Sequence, residues 1–138
     1  MIVLLRHASA GDRLEWNEDD RLRPLDERGF AQAERLVEPL LALGVKRVFS
    51  SPYLRCTQTV EPLARCLGKR IRIDDALAEG APLRDTMLLL AATKKPSVFC
   101  THGDVVLNVL DKDLKKGAAA VLELDGGTVR RIGKIKAP

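Results

Sequence analysis

The sequence predicts an α/β fold: a three-layer sandwich with a mostly parallel central sheet, helices on both faces and a closing C-terminal hairpin. Short β-rich apolar runs alternate along the chain with amphipathic helical segments, which is the order typical of a parallel sheet. The last two apolar runs are separated by Gly126-Gly127, which is typical of a β-hairpin.

The first part of the chain begins with Ile2–Leu5, a continuously apolar run that predicts a strand buried on both faces. A long polar loop follows over residues 8–25. Asp26 is then a suitable helix N-cap, and Gly44 ends the helical pattern. Because Pro39 falls inside that pattern, we expect the helix to kink or to end early there.

The second helix is predicted to begin at Ser51-Pro52, with Ser51 as the N-cap and Pro52 in the first helical position, and to end near Leu67 before Gly68. The other elements are predicted from residue periodicity. They are strands at Val45–Phe49, Arg70–Ile73 and Ser97–Thr101, helices at Leu83–Ala92 and from Asp104 to about Leu110, and hairpin strands at Ala118–Leu124 and Thr128–Ile132.

Length, charge and cysteine content limit the classes of function. The 138 residues predict a single domain over residues 1-138. A net charge of +4 favours anionic ligands, but no aromatic residues are interleaved with the basic ones, so we expect no nucleic-acid partner. Three cysteines without metal-ligand spacing predict a cytoplasmic protein with no disulfide scaffold and no metal. No segment resembles a signal peptide or a membrane span, so we expect no membrane association.

The only two histidines of the chain both follow predicted strands. His7 comes after the first strand, beside Arg6, and His102 comes after the strand that ends at Thr101. A single histidine is more often a surface residue, but ligands of parallel α/β sheets bind beyond the carboxyl ends of the strands. The double placement therefore favours a functional site at that edge of the sheet.

The residues at this edge suit phosphoryl transfer. A neutral imidazole such as His7 is a competent nucleophile toward phosphorus. Arg6 and Arg55 can donate bidentate hydrogen bonds to phosphoryl oxygens, His102 is a further donor, and Gly103 allows close backbone approach. An isolated arginine in the position of Arg55 is more often a solvated helix residue with an acidic neighbour.

A proton donor for the leaving group is also required, and one carboxylic acid can then activate water as well. Glu79 lies in a turn-rich loop after a strand and is the candidate, although spacing alone does not rank it above Asp75, Asp85 or Asp104.

A competing motif is the Cys-x5-Arg spacing of Cys66 and Arg72, which cysteine-dependent phosphatases use. In those enzymes the intervening loop runs from a strand to a helix, whereas here the predicted order is helix and then strand. We interpret the match as accidental and Cys66 as a small apolar residue of the helix.

Four ordered blocks of the chain resemble the histidine phosphatase superfamily, which has the phosphoglycerate-mutase-like fold. The blocks are Leu5-Arg6-His7-Ala8, residues 50–59 around Arg55, Leu77-Ala78-Glu79-Gly80 and Thr101-His102-Gly103. The resemblance implies that His7 is the phosphorylated nucleophile, that Arg6, Arg55 and His102 hold the phosphoryl group, and that Glu79 donates the proton. It also implies that no metal or organic cofactor is needed.

Ala8, where the family usually has glycine, and the block Arg23–Gly29 resemble the short bacterial branch that includes phosphohistidine phosphatases. The chain also resembles the phosphatase half of some bacterial proteins that carry a Nudix domain ahead of it. Because the long insertions of larger relatives are missing, we expect an open, shallow site. Three arginines of the first loop either border it or belong to a solvated charged loop: Arg13, Arg21 and Arg23.

We therefore expect a phosphatase that forms a phosphohistidine intermediate and acts on a phosphohistidine protein or a small phosphomonoester. A nucleotide phosphohydrolase is the alternative enzyme, although no motif for base recognition is present. A non-catalytic phosphoryl-binding module on the same fold is the third hypothesis, and the intact set of five site residues disfavours it.

Overall fold

A six-stranded sheet lies between two pairs of helices in the computed structural model, which describes residues 1–138. The strands are β1 (Ile2–Arg6), β2 (Arg47–Ser50), β3 (Ile71–Ile73), β4 (Ser97–Thr101), β5 (Ala119–Asp125) and β6 (Thr128–Ile135). The helices are α1 (Glu27–Ala42), α2 (Leu54–Leu67), α3 (Leu83–Ala92) and α4 (Gly103–Leu110), with short 3-10 turns at Asp20–Leu22 and Asp75–Leu77.

The strand order is β3-β2-β4-β1-β5-β6. The first four strands in this order pair in parallel, and β5 and β6 pair antiparallel at one side. The predicted α/β class, with its closing hairpin, is confirmed.

Strand β1 lies in the middle of the sheet and explains how two cores form. Its side chains alternate between the faces, so Val3 and Leu5 pack in one cluster with α1 and α2. Ile2 and Leu4 pack in a second cluster with α3 and α4. All four side chains are almost completely buried. The continuously apolar run at the N-terminus is therefore a strand covered on both faces, as predicted.

Most element bounds agree with the prediction, and α3 and β4 agree at both ends. Asp26 caps α1 by accepting a hydrogen bond from the Gly29 N–H at 2.8 Å. The expected early end of α1 at Pro39 is wrong, because the helix continues to Ala42. Pro39 lies in the last turn, where the chain loses only one helical hydrogen bond.

The predicted start of the second helix is wrong. Helix α2 begins at Leu54, and its N-cap Tyr53 has no side-chain cap. The Ser51 hydroxyl instead accepts from the Tyr53 N–H at 3.2 Å and lies 2.8 Å from a ring nitrogen of His102. The side chain that local spacing predicted to cap α2 therefore bonds to His102, which follows the neighbouring strand β4 and is far away in the sequence.

The Cys-x5-Arg segment forms no phosphate loop. Cys66 is in the last turn of α2, Gly68 ends the helix in the left-handed region at φ 64°, and β3 follows. The helix-then-strand order is confirmed, but Cys66 is exposed and not packed as an apolar residue. No helix of the chain is both long and apolar enough to cross a membrane.

Candidate active site

The carboxyl ends of three neighbouring strands bring the two histidines together. The backbone of His7, after β1, donates to the Thr101 carbonyl at the end of β4 at 3.0 Å, and Ser51, after β2, donates to the Cys100 carbonyl at 3.0 Å. The rings of His7 and His102 are consequently 5.6 Å apart between centroids. This is the edge of the sheet at which a site was predicted.

His7 is held with one ring nitrogen free. Its Nδ1 is 2.8 Å from the carbonyl oxygen of Ala8, so a neutral ring donates from Nδ1 and leaves the lone pair on Nε2. Burial is the main cause that lowers the pKa of His7 to about 3, and the nearby charges of Arg55 and Arg6 act in the same direction. The imidazole is therefore unprotonated at neutral pH, as a nucleophile must be.

His102 is oriented through its Nε2 atom. Nε2 lies 2.8 Å from the Ser51 hydroxyl and 3.6 Å from the Cys56 Sγ. Because the Ser51 oxygen already accepts from the Tyr53 N–H, its own proton is available to His102. A neutral His102 then carries its proton on Nδ1, which is buried and has no hydrogen-bond partner.

Three buried nitrogen atoms of the protein have no hydrogen-bond partner, and all three belong to predicted phosphoryl-binding residues. They are Nε of Arg6, Nε of Arg55 and Nδ1 of His102. Buried donors are nearly always paired, because an unpaired one costs about 1–3 kcal/mol. Unpaired buried atoms of this kind are found at sites that are completed by a ligand.

Asp20 positions Arg55, and sequence reasoning missed it. Arg55 is fully buried, and its guanidinium contacts Asp20 twice: Nη1 donates to the carbonyl oxygen at 2.8 Å, and Nη2 pairs with Oδ2 at 3.0 Å. Asp20 also pairs with buried Arg23 through Oδ1 at 3.0 Å. Nothing in the spacing of the polar loop distinguishes Asp20, and only the need of a buried arginine for an acidic partner could have indicated it.

Glu79 reaches the same site. Its Oε1 pairs with Arg13 Nη2 at 2.8 Å and lies 3.8 Å from Arg55 Nη2. A cleft of about 530 Å³ is lined by Glu79, Arg6, His7 and His102. Of the alternative acids, Asp104 also lines it, where its Oδ2 accepts from the Gly80 N–H at 2.7 Å, but Asp75 and Asp85 do not. Four of the five predicted site residues thus line the cleft, and Arg55 lies buried beside it, 3.8 Å from Glu79.

The first loop contributes to the border of the cleft. Arg13 and Arg23 line it, and Arg21 instead pairs with its neighbour Asp19 in an exposed ion pair. The expectation for the three arginines is therefore correct for two of them. Lys116 adds another cation to the lining, and burial is the main cause that lowers its pKa.

Gly103 allows Arg6 to occupy its place. A Cβ atom at position 103 would lie 3.0 Å from Cζ of Arg6, which is too close for an unstrained contact. Arg6 is also fixed from the other side, where its Nη1 donates to the Leu114 carbonyl at 2.7 Å. No group of three His, Cys, Asp or Glu side chains has an arrangement that could hold a metal ion.

Comparison with known proteins agrees with this geometry. The family model of the histidine phosphatase superfamily (branch 1) matches residues 2–82, a range that includes four of the five site residues. The chain belongs to the histidine phosphatase superfamily. The predicted family is therefore confirmed, and with it the prediction of a phosphatase enzyme of this type.

Solved structures share the fold of this superfamily member along nearly its whole length. The protein histidine phosphatase SixA complexed with tungstate superposes with a TM-score of 0.81 at 22% identity, covering 99% of this chain and 96% of the other. A protein of Agrobacterium tumefaciens with a proposed assignment as phosphohistidine phosphatase SixA gives a TM-score of 0.76 at 26% identity, with 97% and 96% covered. These matches agree with the predicted short bacterial branch.

A curated relative of this histidine phosphatase is the 8-oxo-(d)GTP phosphatase of Mycolicibacterium smegmatis. It is 38% identical over 116 residues, which are 80% of this chain. The chain spans only 36% of the length of that relative.

Proposed function

We propose that this chain hydrolyses a phosphohistidine protein or a small phosphomonoester through a covalent intermediate on Nε2 of His7, and that residues 1–138 form one catalytic domain acting in the cytoplasm. In this proposal Arg6, Arg55 and His102 hold the phosphoryl group. Glu79 transfers the proton.

In the first step, the Nε2 lone pair attacks phosphorus and the bond from phosphorus to the leaving group breaks, which is a P–O bond in a phosphomonoester and a P–N bond in a phosphohistidine. Glu79, in its protonated form, gives its proton to the leaving oxygen or nitrogen. The charge on the three equatorial oxygens is then shared among donors that are already in place, so little reorganisation is needed. The hydrogen bond from His7 Nδ1 to Ala8 stabilises the positive charge that develops on the ring.

In the second step, water attacks the phosphorus of the phosphohistidine while the Glu79 carboxylate accepts a water proton. The P–N bond breaks, and its electron pair returns to Nε2. Inorganic phosphate leaves, and Glu79 is protonated for the next cycle. The ion pair of Glu79 with Arg13 does not hinder this role, because the Arg13 side chain is 59% exposed and exposed pairs contribute little.

The single observation that carries the proposal is the set of three unpaired buried donors, one on each of Arg6, Arg55 and His102, beside an unprotonated histidine. Surface arginines and histidines would be solvated. Buried donors without partners are a feature of sites that are completed by a ligand.

The test is hydrolysis of p-nitrophenyl phosphate in EDTA by wild type, His7→Ala and Cys66→Ser. We expect His7→Ala to lose activity by at least about 10³-fold, as expected when a nucleophile is removed, and Cys66→Ser to retain it. Rapid quenching should trap an acid-labile, alkali-stable phosphoenzyme in wild type and in Cys66→Ser, but not in His7→Ala. Wild-type turnover by His7→Ala would refute the mechanism, and absence of any labelled enzyme would favour a non-catalytic phosphoryl-binding module.

The role of Glu79 is tested against the other acid of the cleft. We expect Glu79→Gln to slow hydrolysis by about 10²–10⁴-fold, the range for a lost general acid or base. Asp104→Asn, the matched control, should have a much smaller effect. A larger loss of rate in Asp104→Asn than in Glu79→Gln would assign the proton transfer to Asp104.

For the substrate, we favour a phosphohistidine protein or a small phosphomonoester, since few side chains other than charged ones line the cleft. The likeness to SixA structures supports the protein substrate. A direct test compares kcat/KM for a phosphohistidine protein with that for phosphoserine and p-nitrophenyl phosphate. A kcat/KM for the phosphohistidine protein that is less than tenfold above the values for the two esters would contradict a protein substrate.

A nucleotide phosphohydrolase is the second candidate, and the 38% identity to an 8-oxo-(d)GTP phosphatase favours it. Against it, no Phe, Tyr or Trp lines the cleft, and the ring of Tyr53 already packs against His102 and the Arg55 guanidinium. Phosphate release from dGTP and 8-oxo-dGTP, compared with release from p-nitrophenyl phosphate and from the phosphohistidine protein, separates the two candidate functions. A kcat/KM for either nucleotide above that for the protein substrate would establish this alternative.

A further inference from the structure

The amino ends of three neighbouring parallel strands each carry a pair of cations. The pairs are Lys46-Arg47 at β2, Lys69-Arg70 before β3 and Lys94-Lys95 before β4. Because β3, β2 and β4 are adjacent and parallel, these pairs gather at the end of the sheet opposite to the His7 cleft. The five residues of β4 separate the two ends by about 16 Å.

A pocket of about 500 Å³ at this end is lined only by positively charged residues, which we call the basic pocket. The residues are Lys46, Arg47, Lys69, Arg70, Arg72 and Lys95. None of the six takes part in an ion pair of the protein. Their combined charge exceeds the net charge of +4 of the whole chain, so the rest of the protein has an excess of acids.

Six like charges without a counter-charge repel one another and attract anions into the concave surface between them. The backbones of two of the six are held at the pocket, since the Lys46 and Arg47 N–H groups both donate to the Pro96 carbonyl, at 2.8 and 3.3 Å. The Arg72 guanidinium is also placed, 5.9 Å from the centroid of the Phe49 ring. The pocket is therefore a cluster of positive charges at one end of the sheet, and its position is set by the backbone at Lys46 and Arg47 and by the contact of Arg72 with Phe49.

We propose that the basic pocket binds a small molecule that carries several linked phosphate groups, at a site separate from the catalytic cleft. Six cations match the several negative charges of a triphosphate, and arginine suits phosphate oxygens geometrically. No aromatic or other apolar side chain lines the pocket, so a nucleobase would find no stacking surface there. The pocket therefore recognises the phosphate groups alone, and the ligand is either inorganic triphosphate or the phosphate chain of a nucleotide.

The first experiment is a titration of the ¹⁵N-labelled chain with inorganic triphosphate at low salt, followed by backbone amide NMR shifts. We expect saturable shifts at residues 46–47, 69–72 and 95, and an affinity that falls at least about tenfold between 50 and 300 mM salt. GTP should bind within about threefold of triphosphate. Shifts confined to residues 6–7 and 102–103 would place the ligand in the catalytic cleft and overturn the proposal, as would a preference of about tenfold or more for GTP.

The matched variants each remove three exposed arginine or lysine charges. We expect Lys69→Gln/Arg70→Gln/Arg72→Gln to weaken triphosphate binding at least about tenfold, and Arg28→Gln/Arg35→Gln/Arg65→Gln, on the helices, to change it less than about threefold. Hydrolysis of p-nitrophenyl phosphate should be unchanged in the pocket variant, because no catalytic residue is altered. Equal binding by the two variants would refute the pocket.

A single-stranded oligonucleotide with three phosphates is the last competitor. Weaker binding than triphosphate is expected, because a nucleic-acid backbone spreads its charges. Tighter binding would overturn the proposal and make this end of the sheet a nucleic-acid surface. The NMR map of the wild type decides the location even if the triple variant fails to fold.

Discussion

The hydroxyl of Ser51 lies 2.8 Å from Nε2 of His102 and accepts a hydrogen bond from the Tyr53 N–H. A hydroxyl whose oxygen already accepts a hydrogen bond can donate its single proton to the imidazole. This relationship favours the tautomer of His102 in which Nε2 accepts from Ser51 and a neutral ring carries its proton on Nδ1, the nitrogen without a partner in the protein.

Without this hydroxyl, the neutral ring of His102 should no longer be held in the tautomer with its proton on Nδ1. We expect Ser51→Ala to lower kcat/KM about tenfold, since a buried hydrogen bond contributes about 1 kcal/mol. Imidazole ¹⁵N shifts should show Nδ1–H in wild type and a mixture of tautomers in the variant, and the presence of only two histidines simplifies assignment. Ser97→Ala, a buried serine at the other end of β4, is the control. Protonation of both ring nitrogens in the wild type at neutral pH would contradict this account.

Loss of the Asp20 charge should harm both binding and stability. Asp20→Asn leaves buried Arg55 and Arg23 without their carboxylate, which should cost about 1–3 kcal/mol of unfolding free energy and raise KM. Asp19→Asn is the control, because Asp19 pairs only with exposed Arg21. Urea denaturation and steady-state kinetics measure the two effects. If both variants behave alike, Asp20 does not position Arg55.

Sequence could predict elements whose pattern is local and residues whose chemistry is distinctive. Helix α3 and strand β4 were delimited at both ends because periodicity, Pro82 and Pro96 define them. The start of α2 was not predicted correctly, because the partner of Ser51 is His102, about 50 residues away in the sequence. Asp20 was missed for the same reason. Its partner Arg55 is 35 residues away in the sequence, and no local sequence pattern predicts such a contact.

Gly103 should not tolerate a side chain, although its backbone conformation would allow one. We expect Gly103→Ala to displace the Arg6 guanidinium and lower kcat/KM by about 10²-fold, the cost of losing one phosphoryl donor. Gly11→Ala is the control, because Gly11 lines the same cleft with open space around its Cβ position. A kcat/KM for Gly103→Ala within twofold of that for Gly11→Ala would show that Arg6 is free to move.

His7 should make the protein less stable in mild acid. Its pKa is 6.5 when unfolded and about 3 when folded, so between these values the unfolded chain binds the extra proton. The free energy of unfolding therefore decreases as the pH falls from 6.5 toward 3, by up to about 1.4 kcal/mol per pH unit from this group. His7→Gln should remove that dependence. Urea denaturation of both proteins between pH 7 and pH 4.5 measures it, above the range in which Asp20 and Asp26, whose pKa values are lowered, become protonated. Parallel pH profiles for the two proteins would mean that the folded and unfolded chains bind the His7 proton equally, so that burial does not lower the pKa of this histidine.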